Sequence, residues 1–195
     1  DLSSFTVSPP FWAEVHMSPQ GQNLSCRSCH LFQDHVVLGR GLDLRHNERP
    51  GRLTCLTGGC HTSTPHGNQR LDGHTGRVAC QTCHIPVYAN LQTTEVVRDW
   101  LRPFFSQGLL GGQGGFKPEE IRAGSLVPSY RWFDGTSRVY ALGQQPIGGD
   151  QGVYELGLPN GTVRTPGAMI YPMKEHSSNS AMHDATGQMI PFSTF

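Results

Sequence analysis

Charge is scarce in this chain. Only 15% of its 195 residues are Asp, Glu, Lys or Arg, and 15 bases balance 15 acids. The basic excess that marks a nucleic-acid binder is therefore lacking, and no nucleic-acid partner is expected. Long apolar runs are lacking too, so no segment reads as a membrane span. Apolar residues make up 36% against 24 glycines and 14 prolines, which leaves a thin core for this length. Lysine is absent from residues 26–84, and cysteine is absent after Cys83. A disordered Gly/Pro-rich chain would share these shortages, but the aromatic and β-branched runs argue against one.

The cysteines that are present fall into three pairs, each closed by a histidine. Cys26-Arg27-Ser28-Cys29-His30 and Cys80-Gln81-Thr82-Cys83-His84 have the C-x-x-C-H spacing of covalent c-type haem attachment. Cys55 through His61 repeats the device with four residues between Cys55 and Cys60. In this chemistry each thiol adds to one haem vinyl group, and the adjoining histidine gives the iron its proximal nitrogen. Paired C-x-x-C runs also build zinc sites, and a lone pair can be a redox centre or a disulfide. Those readings leave the repeated histidine without a role. The expectation is three covalently attached haem c groups, with the Cys55/Cys60 pair the less specific taken alone.

Three buried porphyrins would supply the apolar surface that the polypeptide lacks. The expected fold class is a mostly irregular, cofactor-organised multihaem cytochrome c with short helices and a few β-hairpins. Haem propionates add negative charge. Residues 26–84 carry seven arginines (Arg27, Arg40, Arg45, Arg49, Arg52, Arg70 and Arg77) against four acids. Arginine pairs with carboxylates through a planar fork, so some of these are expected to clamp propionates and the others to be ordinary solvated side chains. The chain begins at Asp1 with neither initiator methionine nor signal peptide, which reads as a processed mature form. Haem attachment of this kind is completed outside the cytoplasmic membrane, so a periplasmic or extracellular location is expected. Asn23-Leu24-Ser25 and Asn160-Gly161-Thr162 match glycosylation sequons, a pattern frequent by chance.

The chain divides into a three-haem-binding region, 1–90, and a haem-free Gly/Pro-rich region, 91–195. The first holds every cysteine and eight of the ten histidines. Its motifs are expected on short helical turns joined by irregular loops. In the second, Thr94 as cap and Val96, Val97, Trp100 and Leu101 on one face predict a helix over 94–105. Pro118-Glu119-Glu120 reads as another helix start. Gly111–Gly115 reads as a loop. Hairpins are expected around Asp134-Gly135, joining 130–133 to 137–142, and around Pro159-Asn160-Gly161, joining 153–158 to 162–165. Residues 173–195 read as an extended arm or as an ordinary loose terminus.

Besides His30, His61 and His84, seven histidines remain for three sixth positions: His16, His35, His46, His66, His74, His176 and His183. A second strong ligand makes a haem an electron carrier, whereas an open position makes it a catalyst. Supply exceeds demand, so all three haems can be bis-histidine. The five histidines threaded among the motifs are the stronger candidates; for His176 and His183 a surface role is equally open. Met17, Met169, Met173, Met182 and Met189 are alternative ligands that would raise a potential.

The stretch from His16 to about Gly135 resembles part of the octahaem tetrathionate reductase family. His74-Thr75-Gly76-Arg77-Val78-Ala79-Cys80-Gln81-Thr82-Cys83-His84-Ile85-Pro86 carries the strongest likeness. His35-Val36-Val37-Leu38-Gly39-Arg40 and Thr64-Pro65-His66 add to it. Arg98-Asp99-Trp100, Tyr130-Arg131-Trp132-Phe133-Asp134-Gly135 and Tyr171-Pro172-Met173-Lys174 are similar in a less specific way. The resemblance implies that His35, His66 and His74 are distal ligands, and His16 matches a position that can serve a neighbouring haem. The catalytic haem section of that family has no counterpart here. Only Lys117 and Lys174 could copy a lysine-ligated haem, and neither adjoins a motif. The expected function is electron transfer through three bis-histidine haems, in a subunit of an extracellular polymeric cytochrome that self-associates through haem–haem contact. Redox donor and acceptor proteins are the other expected partners. A small sulfur or nitrogen oxyanion reductase and the redox subunit of a membrane complex are the alternatives.

Overall fold

The computed structural model describes residues 8–29, 32–33, 36–37, 54–56, 59–107 and 114–190. His30, His35 and His46, with Arg40, Arg45, Arg49 and Arg52, lie outside the described residues.

Helices are few and short: α1 (Cys26–Cys29), α2 (Gln69–His74) and α3 (Cys80–His84). The first strands are β1 (Phe32–Gln33), β2 (Val36–Val37), β3 (Thr94–Ser106), β4 (Gly115–Ala123), β5 (Ser129–Phe133) and β6 (Ser137–Val139). After these come β7 (Ile147–Gly148), β8 (Tyr154–Glu155), β9 (Gly157–Pro159) and β10 (Met169–Met173). The last are β11 (Ser177–Asn179), β12 (Met182–His183) and β13 (Gln188–Met189). Pairing is almost all in twos (β1 with β2, β5 with β10, β6 with β9, β7 with β8, β12 with β13), and one sheet has three strands in the order β11-β3-β4. The architecture is thus the expected one, with short helices, small strands and much irregular chain. No helix among the described residues is long and apolar enough to cross a membrane.

The chain forms two compact units. One comprises Asp1–Pro86, Tyr130–Ser137 and Pro159–Pro172; the other comprises Val87–Ser129, Arg138–Leu158 and Met173–Phe195.

In the second unit the helix expected over 94–105 is a strand. Val96 and Val97 are β-branched, and a helix through 105 would hold Pro103 in its interior, at a cost of about 3 kcal/mol. The strand tolerates that proline because its register with β4 breaks between Asp99 and Phe104. Pro118 likewise starts no helix. It lies between Lys117, paired with Phe104, and Glu119, paired with Asp99, where the irregular ladder asks nothing of its missing N–H.

The arm expected at 173–195 is, through Ile190, docked within the same unit. Ser177–Asn179 run parallel to Val97–Asp99. Lys174 Nζ donates to Thr94 Oγ1 (3.1 Å) and to the Glu95 carbonyl (2.7 Å). Glu95 also takes two hydrogen bonds from Arg98, at 2.7 and 2.9 Å, and faces His176 Nε2 at 3.0 Å. The Arg98 guanidinium, and after it His176, hold the Glu95 carboxyl below the ordinary range.

The hairpins expected around Asp134-Gly135 and Pro159-Asn160-Gly161 do not close locally. Asp134 takes the Thr136 amide (2.8 Å) and hydroxyl (2.6 Å) on its carboxylate, which turns the chain but sends β5 to β10 and β6 to β9. The two turns meet instead: Asp134 N–H donates to Asn160 O at 2.9 Å, and Asn160 N–H to Thr136 O at 2.9 Å. Residues 162–165 form a turn rather than a strand, closed by Thr165 N–H on Thr162 O at 3.0 Å.

The hydrophobic side chains buried among the described residues are small in number: Ala79, Phe133 and Ala168, all in the first unit. Gly161 approaches them with φ +129, and a Cβ there would stand 3.1 Å from the Asp134 nitrogen and 3.3 Å from Ala168 Cβ. Gly161→Ala is therefore expected to destabilise the holoprotein by about 1–3 kcal/mol, measured as a lowered urea midpoint. An unchanged midpoint would contradict this packing.

Candidate functional site

The site is assembled around α3. Its cap, Ala79, is extended and 3% exposed. Ala79 N–H donates to Ile170 O at 3.0 Å, Ile170 N–H donates to Arg77 O at 2.8 Å, and Thr82 Oγ1 donates to Ile170 O at 2.8 Å. A strand far along the chain thus clamps the entry to the third cysteine motif. Phe133 and Tyr171 meet edge to face behind it, with centroids 5.4 Å apart. Arg77 lies 4.7 Å over the Trp132 ring, and its Nη2 donates to the Val163 carbonyl. Of the arginines expected at propionates, this one is engaged by a ring and a carbonyl.

The three motifs adopt different backbones. Cys26–Cys29 and Cys80–His84 are single helical turns, as an i, i+3 cysteine pair on one face requires. In the longer second motif His61 N–H donates to Cys55 O at 3.2 Å. A cleft of about 220 Å³ joins the second and third motifs and is lined by Cys55, Ala79, Cys80, Phe133, Met169 and Tyr171. Burial pushes the Cys55 thiol up, and the adjacent Cys80 thiol, a hydrogen-bond partner, adds to this, with Cys29 contributing last. All six cysteines are free of disulfides. Among the described residues no group of three or more His, Cys, Asp or Glu is arranged to hold a metal ion, so the four-donor set of a zinc site is not assembled there.

Four of the described histidines form two pairs. His16 and His61 have ring centroids 6.1 Å apart with planes at 81°; His66 and His84 are 6.0 Å apart with planes at 14°. Two imidazoles on opposite faces of one metal ion, each through a bond of about 2.0 Å with about 1.1 Å more to the ring centre, have centres about 6.2 Å apart. The tautomers fit as well. His16 Nδ1 lies 2.8 Å from Glu14 Oε1, and His66 Nδ1 lies 3.1 Å from Asp72 Oδ1. A carboxylate only accepts, so each Nδ1 carries the proton and each Nε2 presents its lone pair. The His66 amide, donating to the same oxygen, is the main reason the Asp72 carboxyl titrates below the ordinary range.

Local structure holds these rings in place. His16 sits in a folded loop whose ends are tied by Gln22 N–H on Val15 O (3.0 Å) and Leu24 N–H on His16 O (2.8 Å). His66 precedes α2, whose cap Asn68 accepts from the Arg70 and Leu71 amides at 3.0 and 3.2 Å. His74 ends that helix, and its carbonyl accepts from Arg77 and Val78. His176 and His183 belong to the second unit; His176 Nε2 faces Glu95, and His183 Nδ1 faces Thr186 Oγ1 at 3.1 Å. Sequence reasoning overlooked Glu14 and Asp72. An acid two residues before His16 was the visible signal for one, whereas the turn that carries Asp72 back to His66 was not legible.

Cysteine pairs closed by histidine, a cleft joining two of them and imidazoles facing at an iron-spanning distance together fit covalently held haem. Comparisons with known proteins agree. A family described as "Cytochrome c bacterial" matches residues 113–195. The crystal structure of an octahaem cytochrome c from Shewanella oneidensis superposes with a TM-score of 0.76 at 29% identity, over 96% of this chain. The chain is a multihaem c-type cytochrome that resembles the octahaem protein. This cytochrome spans 43% of the length of that relative. No curated protein matches it. Cytochrome c implies covalently bound haem c, and the structural likeness covers 96% of the chain, more than the 16–135 stretch and the 171–174 run on which the sequence resemblance rested.

Proposed function

We propose that this cytochrome carries electrons through three closely spaced bis-histidine haems. The observation that carries the reading is the pair of facing histidine couples, His16/His61 and His66/His84, at 6.1 and 6.0 Å. In this reading Cys55 and Cys60 hold one haem between His61 and His16, and Cys80 and Cys83 hold another between His84 and His66. Cys26, Cys29 and His30 hold the third, with His35, His46 or His74 supplying its distal nitrogen. Imidazole on both faces leaves an iron no open position, which favours conduction over catalysis.

Bound haem supplies one-electron exchange between ferric and ferrous iron. His16 with His61, and His66 with His84, would each hold an iron between two nitrogens, so that ligation need not change as an electron passes. The polypeptide also sets the spacing. Cys55 and Cys80 belong to different motifs, yet their thiols adjoin and line one cleft, so haems attached through them would be near neighbours.

The first haem needs one distal ligand from three candidates, so histidines remain to spare. A three-haem unit is also short, and conduction over distance needs haem contact between copies. Both points support a subunit of an extracellular or periplasmic polymer built head to tail, in which a spare histidine meets a neighbour's haem. Redox donor and acceptor proteins would meet it at the ends.

The ring planes make the ligand assignment testable by ferric electron paramagnetic resonance. Near-parallel imidazoles split the iron π-type d orbitals and give a rhombic low-spin signal, whereas perpendicular ones leave those orbitals nearly degenerate and give a highly anisotropic signal. The holoprotein is expected to have both, and His66→Ala is expected to replace the rhombic signal with a high-spin one without loss of covalent haem. A high-spin wild type would overturn the assignment. For assembly, size-exclusion and electron microscopy of the native holoprotein are expected to find polymers. A stable monomer with three fully ligated haems would sink that part.

A further inference from the structure

We propose that Glu14 and Asp72 are positioning residues that hold the Nδ1–H groups of His16 and His66 and lower the reduction potentials of the two haems these histidines serve, Asp72 more strongly. The inference rests on the ligand assignment above. It adds what sets the relative potentials of neighbouring irons.

The same device occurs twice, on unrelated stretches of backbone. Glu14 Oε1 accepts the His16 amide at 2.7 Å and faces His16 Nδ1 at 2.8 Å. Asp72 Oδ1 accepts the His66 amide at 3.0 Å and faces His66 Nδ1 at 3.1 Å. One oxygen gripping both the backbone and the ring of one histidine fixes the ring's rotation as well as its tautomer. An imidazole whose Nδ1–H is given to a carboxylate is a stronger donor through Nε2. A stronger donor, with a negative charge behind it, favours ferric over ferrous iron. On reduction one electron enters the iron from an electrode or a chemical reductant, and the Nδ1 proton stays on the ring.

The two sites differ in strength. The Asp72 side chain is 9% exposed, and its second oxygen takes the Asn68 amide at 3.0 Å, so the carboxylate is fixed and poorly screened. The Glu14 side chain is 40% exposed and is screened by water and salt. The iron between His66 and His84 is therefore held down further than the iron between His16 and His61. An offset between adjacent haems is built into the polypeptide.

Spectroelectrochemical titration of the wild-type, Asp72→Asn and Glu14→Gln holoproteins tests this. Each substitution keeps a hydrogen-bond acceptor and removes the charge. Asp72→Asn is expected to make reduction of one haem about tenfold more favourable, a rise of about 59 mV for one electron. Glu14→Gln is expected to give a smaller rise, on a different haem, with low-spin spectra and haem content retained in both. Potentials unchanged in both variants, whatever happens to their stability, would overturn the proposal. Should Asp72→Asn fail to mature, Glu14→Gln decides alone, by a rise or its absence on the haem with the anisotropic signal. A wild type lacking bis-histidine signals would instead overturn the ligand assignment, so the two failures are distinguishable.

Discussion

Two thiols and an imidazole from one short stretch must all reach one porphyrin, and this reach shapes the polypeptide around it. A helical turn meets the requirement for Cys80–His84, and the same turn forms at Cys26–Cys29. With four residues between Cys55 and Cys60 that i, i+3 turn is no longer available, and His61 N–H is tied to Cys55 O instead. Such short elements cannot stabilise themselves. They are held by distant chain, as when Ile170 pairs with Arg77 and Ala79 at the entry to the third motif. The few buried apolar side chains gather there, beside the cleft that the cysteines line.

Sheet structure meets a different constraint. The haem motifs are absent from 91–195, and the longest ladder among the described residues, β3 with β4, lies within that stretch. Its prolines fall where the register breaks, and its docked C-terminal strand is secured by side chains: Lys174 on Glu95 O, and Asn179 on Asp99 at 3.2 Å. Yet residues 130–137 and 159–172 leave this sheet unit and complete the motif-bearing one. The polypeptide around the motifs is discontinuous in sequence.

Legibility followed the range of the chemistry. Covalent attachment is local, so the expectation at the cysteines and their following histidines rests on spacing alone. The irregular fold class followed from the shortage of apolar residues. The error over 94–105 arose because Val96, Val97, Trp100 and Leu101 satisfy a helical face while Pro103 forbids the helix. The error at Asp134-Gly135 arose because a turn signal cannot say which strand follows as partner, and the partner came from beyond 160. Distal pairing was beyond sequence altogether: that His16 faces His61, and His66 faces His84, depends on loops folding back. The carboxylates behind them were overlooked for the same reason.

The central claim is that haem attachment organises the fold. Amide hydrogen exchange on the holoprotein and on the same polypeptide produced without haem attachment tests it most directly. The account predicts slow exchange at the Ala79, Asp134 and Ile170 amides in the holoprotein and unprotected exchange at all three without haem. Retained protection at these amides in the haem-free chain would contradict it.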